Sequence, residues 1–254
     1  MGGARRHSER RQGRNAALPG LVLVAWLAAS GSAKAGEGYA LIGLGGSTDG
    51  LHSYAGVIYA PAHSLSDTGL LLRAWAKSFA FTYETDLPDK PDARIEALGY
   101  GVQAEAGWQI AGRWGRAALL PGIAWRDYKL DPSDPGSRLE TDRIGLSLAA
   151  DGEWRLSDRF GIMANASYLT GFDDYWAQAR PFVHLGSGWK IGLDFAGFGG
   201  PDYAKMRAGL FTSGYELPVK AFGRLFLGAE AGVQSDVDGK RVVPFAGINI
   251  GLLF

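Results

Sequence analysis

Apolar and polar residues alternate along much of this chain with a period of two, the spacing of side chains on a β-strand. From Leu98 to Ile110, one face carries Leu98, Tyr100, Val102, Ala104, Ala106, Trp108 and Ile110. The other carries Gly99, Gly101, Gln103, Glu105, Gly107 and Gln109. From Ile144 to Leu156, the apolar Ile144, Leu146, Leu148, Ala150, Trp154 and Leu156 oppose Arg143, Ser147, Asp151, Glu153 and Arg155. Leu225, Leu227, Ala229, Ala231 and Val233 likewise oppose Arg224, Glu230 and Gln234, and Ile191, Leu193 and Phe195 oppose Lys190 and Asp194. No stretch beyond Ala35 holds a helical period for long, and none reaches 18 apolar residues. The pattern predicts twelve strands, near 39–47, 51–60, 69–83, 95–110, 115–130, 138–156, 160–170, 175–185, 189–199, 203–215, 223–233 and 242–254.

Alternation alone fits a soluble sandwich as well as a membrane barrel. Strand length separates them. Several stretches run well past the usual ~5–6 residues of a globular strand and match the ~9–11 needed to cross a bilayer at a tilt. Connections are the second feature. Short ones at Ala111–Trp114, Ser157–Arg159 and Gly186–Gly188 face longer, Asp- and Pro-rich ones at Glu84–Arg94, Asp131–Ser137 and Ser235–Arg241. That alternation suits an outer-membrane barrel with short periplasmic turns and long outer loops. Two connections break it: 61–68 is too long for its side and 47–50 too short. The third feature is the final strand, where Val242, Pro244, Ala246, Ile248, Ile250, Leu252 and Phe254 form one apolar face ending on an aromatic residue. Such an ending resembles the signal read by the barrel-assembly machinery. The expected class is all-β, a transmembrane antiparallel β-barrel of about twelve strands, with both mature termini periplasmic.

The N-terminus changes the charge picture. Arg5, Arg6, Arg10, Arg11 and Arg14 precede an apolar run from Ala17 to Ala29 and the sequence Ala33-Lys34-Ala35. A basic stretch, a short apolar stretch and a small-residue site make a secretory signal peptide. The predicted division is residues 1–35 as signal peptide and 36–254 as barrel. The formal net charge of zero then hides a mature balance of 20 basic against 25 acidic residues. An acidic exported domain argues against a nucleic-acid partner. Thirty-eight glycines suit close-packed strands, and the absence of cysteine excludes disulfides and thiolate chemistry.

With apolar faces toward lipid, the lumen is expected to be lined by Arg73, Lys77, Gln103, Glu105, Arg143, Asp151, Glu153, Arg155, Lys205 and Arg207. Arg126, Gln178, Arg180, Lys190, Asp194, Arg224 and Glu230 share that parity. The plain reading is that these mixed charges neutralise one another across a largely filled interior. A sharper reading starts from aromatic residues beside carboxylates and amides, which can stack on sugar rings and bond their hydroxyls. It nominates Tyr175, Trp176, Gln178, Arg180, Asp174 and Tyr203 for polysaccharide binding. Phe79, Phe81 and Tyr83 end one strand at its expected outer rim, and for outward-facing rings an interfacial aromatic belt is the better account.

Catalysis has little support. The adjacent pairs His52-Ser53 and His63-Ser64 would face opposite ways on a strand, as would Asp173-Asp174. His184 is expected inward without a serine two residues away, and no metal, cofactor or nucleotide motif is present.

Several phrases read together resemble the cellulose biosynthesis protein BcsS family of alphaproteobacteria. They are Gly43-Leu44-Gly45-Gly46-Ser47-Thr48-Asp49-Gly50, Leu71-Leu72-Arg73-Ala74-Trp75-Ala76-Lys77, the run Ser167–Pro181, and Phe211-Thr212-Ser213-Gly214-Tyr215-Glu216-Leu217. The resemblance covers the chain from about Tyr39 to Phe254. It implies a non-enzymatic, accessory outer-membrane role in cellulose production or export, with cellulose chains and other cellulose synthase components as partners beside outer-membrane lipid. It carries no catalytic residues. Two other readings stay open: a structural or porin-like diffusion barrel, and a lipid- or glycan-modifying hydrolase of the outer membrane.

Overall fold

The computed structural model describes residues 36–254, apart from 89, 138, 140–142, 187, 202, 218–223 and 238–240. The signal-peptide segment lies outside the described residues. Twelve antiparallel strands form one closed barrel: β1 (Glu37–Ser47), β2 (Gly50–Ala60), β3 (Gly69–Leu87), β4 (Lys90–Gly112), β5 (Gly115–Asp131), β6 (Arg143–Arg155), β7 (Phe160–Leu169), β8 (Asp174–His184), β9 (Lys190–Gly200), β10 (Tyr203–Leu217), β11 (Arg224–Asp236) and β12 (Val242–Leu253). Each strand pairs with its sequence neighbours, and β1 closes on β12 through a register from Tyr39↔Leu253 to Ser47↔Phe245. Closure leaves no unpaired sheet edge around the wall. Among the described residues no helix is long and apolar enough to cross a membrane.

Strand number and side-chain parity match the alternation in the sequence. The apolar set points outward, with Ile144 76% and Leu146 64% exposed, while Ser147 between Leu146 and Leu148 is buried inside. Phe182, Phe211, Phe245 and Val243 also point inward and are buried, so the interior is not purely polar. Inward glycines let large neighbours lie flat on the wall. A Cβ at Gly43 would sit 2.3 Å from the Tyr54 ring, and one at Gly251 would sit 1.9 Å from the Tyr39 hydroxyl.

The connections correct the expected alternation of short and long. Glu84–Arg94 is not a loop: β3 and β4 continue through it as a hairpin, paired from Thr82↔Glu96 to Leu87↔Lys90. Neighbouring pairing stops at Gly50↔Phe81 on one side and Glu96↔Asp131 on the other, so this hairpin stands beyond the barrel wall. Of the predicted strand 138–156, β6 covers Arg143–Arg155, and residues 138 and 140–142 lie outside the described residues. At the end away from the termini, the β1–β2 connection is as tight as Ser47↔Gly50. At the termini end, the eight residues 61–68 between β2 and β3 form the longest connection. Connection length therefore does not assign the two ends.

Candidate functional site

The inward residues nominated from the sequence meet in two buried polar clusters. In the first, Arg73 pairs through Nε with Glu105 and through NH1 with Asp151. The Gln103 amide donates to Ser147 Oγ at 2.7 Å, and that hydroxyl donates to Glu105 Oε1 at 2.7 Å. Lys77 Nζ donates to Gln103 Oε1 at 3.0 Å. In the second cluster, Asp194 is wholly buried and accepts from Arg180 Nε at 2.7 Å and from the Gln178 amide at 2.6 Å. Arg207 Nε lies 3.0 Å from Asp194 Oδ2, an ion-pair distance at an angle that makes no hydrogen bond. Glu230 joins both guanidinium groups, Arg180 through NH2 and Arg207 through NH1 at 3.2 Å.

Four ion pairs cross the interior, one from each cluster and two outside them. Arg73–Asp151 links β3 to β6, Arg126–Asp174 links β5 to β8, Lys190–Glu153 links β9 to β6, and Arg180–Glu230 links β8 to β11. Each passes two intervening strands of the twelve, a quarter of the circumference. A charge held away from water must be paired, so the ring of chords is what allows so many ions inside. The neutralised interior, the plainer of the two sequence readings, is what these side chains form. Arg143 instead lies near the mouth and donates to Gly171 O at 3.2 Å, Lys205 lies 3.9 Å from Asp49 and 3.8 Å from Asp236, and Arg155 and Arg224 are rim residues.

The six residues nominated for polysaccharide binding separate. Trp176, Gln178, Arg180 and Asp174 point inward on β8, and Tyr203 has inward parity at the far end of β10, 43% exposed. Tyr175 does not belong with them. Adjacent residues of a strand face opposite ways, and Tyr175 lies on the outer face with its hydroxyl over Gly199. Trp176 is itself enclosed. Its ring stacks on Phe198 with centroids 5.2 Å apart, Arg207 sits 5.0 Å from its centroid, and its N–H donates to Asn165 Oδ1 at 2.7 Å. Gln178 also accepts from the Asn165 amide at 2.9 Å. These side chains hold one another rather than presenting free faces to the lumen.

Inward aromatics the charge pattern did not nominate gather at the end away from the termini. Arg126 lies 5.6 Å from the Phe79 ring and 5.3 Å from the Phe172 ring, with Tyr128 Oη 3.5 Å from its NH1. Phe81 contacts Tyr128 and Tyr83 at 6.4 and 6.3 Å, and the Tyr83 hydroxyl donates to Asp134 at 2.9 Å. Strand parity with Arg73 and Lys77 is the signal in the sequence that could have placed Phe79, Phe81 and Tyr83 inside. The Ser–His pairs form no dyad. Ser53 faces outward and bonds Ser78 at 2.8 Å, while Ser64 Oγ donates to Glu37 Oε2 at 2.7 Å. Among the described residues no cluster of His, Asp and Glu could hold a metal ion.

The family model for cellulose biosynthesis protein BcsS matches residues 42–254. The chain belongs to the BcsS family. The matched region contains the four chord pairs and the far-end aromatics; Glu37 and Tyr39 precede it. No curated protein sequence matches. Among solved structures, the chain is similar to the KdgM porin, at 8% identity and a TM-score of 0.48, covering 84% of this chain and 98% of the porin. It is also similar to the COG4313 outer membrane channel from Pseudomonas putida F1, at 12% identity and TM-score 0.48, covering 87% and 95%. A third is the translocator domain of autotransporter NalP from Neisseria meningitidis, at 11% identity and TM-score 0.48, covering 91% and 92%.

Proposed function

We propose that this BcsS-family chain is a non-enzymatic outer-membrane barrel that assists cellulose production or export from a Gram-negative bacterium. It sits with both mature termini in the periplasm and is inserted by the barrel-assembly machinery. The observation that carries the reading is the family match over residues 42–254, all but the first residues of β1, of a closed barrel whose outer face is apolar. An apolar outer face beside a paired, polar interior is the division a bilayer imposes on a barrel. Cellulose chains and other cellulose synthase components are the partners this role requires. The cross-lumen ion pairs disfavour a wide diffusion pore, since each chord places charged side chains across the path a solute would take. Ser53 bonded to Ser78 on the outer face and Ser64 bonded to Glu37 leave neither neighbouring histidine a serine to activate, which disfavours a Ser–His hydrolase. Gene deletion tests the reading: extracellular cellulose should fall and return when the full chain is supplied in trans, and an unchanged yield removes the proposal. Planar-bilayer recordings address the porin-like alternative, which requires a steady open conductance from the wild-type barrel.

A further inference from the structure

The connection that broke the expected length pattern is built into the termini-end mouth. Residues 61–68 do not extend away from the barrel. Leu65 packs with Ile58 on a buried cluster of Ala60, Leu71, Ala118, Leu120 and Ala149, which brings inward positions of β2, β3, β5 and β6 together beneath it. Its backbone is held from both sides. Glu37 Oε2 on β1 accepts from Leu65 N–H at 2.7 Å and from Ser64 Oγ at 2.7 Å. On β4, the Gln109 amide, only 2% exposed, donates to Leu65 O at 2.9 Å and to Asp67 O at 2.7 Å. Arg116 on β5 reaches Leu65 O at 3.3 Å.

The ends of the segment are pinned as well. Thr68 Oγ1 accepts from Ala111 N–H at 2.8 Å, and His63 Nε2 lies 3.0 Å from Leu70 O. The imidazole covers Gly69, where a Cβ would fall 2.1 Å from His63 Nε2. A surface loop would leave its backbone to water. This one directs its central N–H and C=O to side chains of the barrel wall and packs a half-buried leucine against the mouth's buried cluster. The latch is made of side chains, chiefly one carboxylate and one amide with the Arg116 guanidinium beside them, rather than of strand pairing, so it can release without breaking the barrel.

We propose that residues 61–68 are a gate over the termini-end mouth, seated by Leu65 and latched by Glu37 and Gln109. The proposal is independent of the cellulose reading, because it concerns access to the lumen whatever passes or docks there. The absence of cysteine from the sequence makes the test direct. Ala149→Cys places one thiol in the buried cluster against which Leu65 packs, and its labelling by a membrane-impermeant methanethiosulfonate reports whether the mouth is covered. In folded barrels, identified by heat-modifiable migration, labelling should be slow with the latch intact and at least tenfold faster when Glu37→Ala and Gln109→Ala are added. A second background, Leu65→Ser, removes the apolar seat while keeping the backbone bonds, and should raise the rate about threefold or more. Equal rates in any of these backgrounds that folds overturn the gate.

Discussion

Arg73 and Asp151 are 78 positions apart in sequence and separated by two intervening strands in the wall, yet their side chains meet across the lumen. Glu105 shares the same guanidinium, and the two acids differ sharply in exposure: the Glu105 side chain is fully buried, while that of Asp151 is 37% exposed. Arg73 therefore compensates one ion that cannot reach water and one that can. The consequences of removing each partner should differ accordingly.

Arg73→Ala leaves a buried carboxylate without its partner, which typically costs about 3–5 kcal/mol. Asp151→Asn removes the more exposed partner and keeps the buried pair, so its cost should stay near ~1 kcal/mol or below. Denaturant unfolding of the refolded barrels, followed by tryptophan fluorescence, checks the order. Equal losses would mean that Glu105 is not the residue Arg73 serves.

Trp176 should behave as packing rather than as a sugar platform. Phe198 and Arg207 lie against its ring, and Asn165 takes its N–H. Trp176→Ala should cost about 3–5 kcal/mol as a large-to-small change, whereas Trp176→Phe keeps most of the ring contact and loses about 1 kcal/mol with the hydrogen bond. In a variant retaining Trp176 as its only lumenal tryptophan, cello-oligosaccharides should leave the emission of Trp176 unchanged. A saturable change in that emission would restore the sugar-binding reading.

The wall was legible in the sequence because side-chain parity is a local property. Leu98 to Ile110 shows both its faces within a few residues, and each strand carries its own record of which side meets lipid. The partners inside were not legible. Which acid Arg126 meets depends on how far the strands are staggered around the closed wall, and nothing near Arg126 in the chain encodes Asp174 as its answer. The same limit hid the enclosure of Trp176: Phe198 and Arg207 are on β9 and β10, and only pairing brings their rings and charges together. Residues 61–68 were visible only as an irregular length. Their inward course depends on Glu37 and Gln109, donors and acceptors on strands that the loop does not join.

Gly43 and Tyr54 give a test of the close packing inside the wall. They are paired across β1 and β2, and a methyl group at Gly43 would overlap the Tyr54 ring. Gly43→Ala should cost about 1–3 kcal/mol as an overpacking change. In the background of Tyr54→Ala, the same substitution should cost much less, because the atom it strikes has gone. A double-mutant cycle measures the difference, and additive losses would show that the ring is not what excludes a side chain there.

The seam between β1 and β12 is the wall contact whose partners lie at opposite ends of the chain. Its outermost bonds are Gly38 N–H to Phe254 O at 2.8 Å and Phe254 N–H to Gly38 O at 2.9 Å. The Phe254 ring lies over Gly38, where a Cβ would come within 2.4 Å of it. Every other strand pair can form as a hairpin with its neighbour, but this one must bring together residues separated by the whole barrel. Its loop-closure cost is the largest, and contacts of that kind slow folding. Deleting Phe254 removes both bonds and the ring; Gly38→Val keeps the bonds but displaces the ring. Both should lower the rate at which heat-modifiable barrel appears during refolding into micelles, the deletion more than the substitution. Phe254→Tyr, which retains ring and backbone, should refold at nearly the wild-type rate. If deletion of Phe254 leaves refolding unchanged, the seam is closed by the interior of the register, from Tyr39↔Leu253 inward, and the terminal aromatic has no part in holding it.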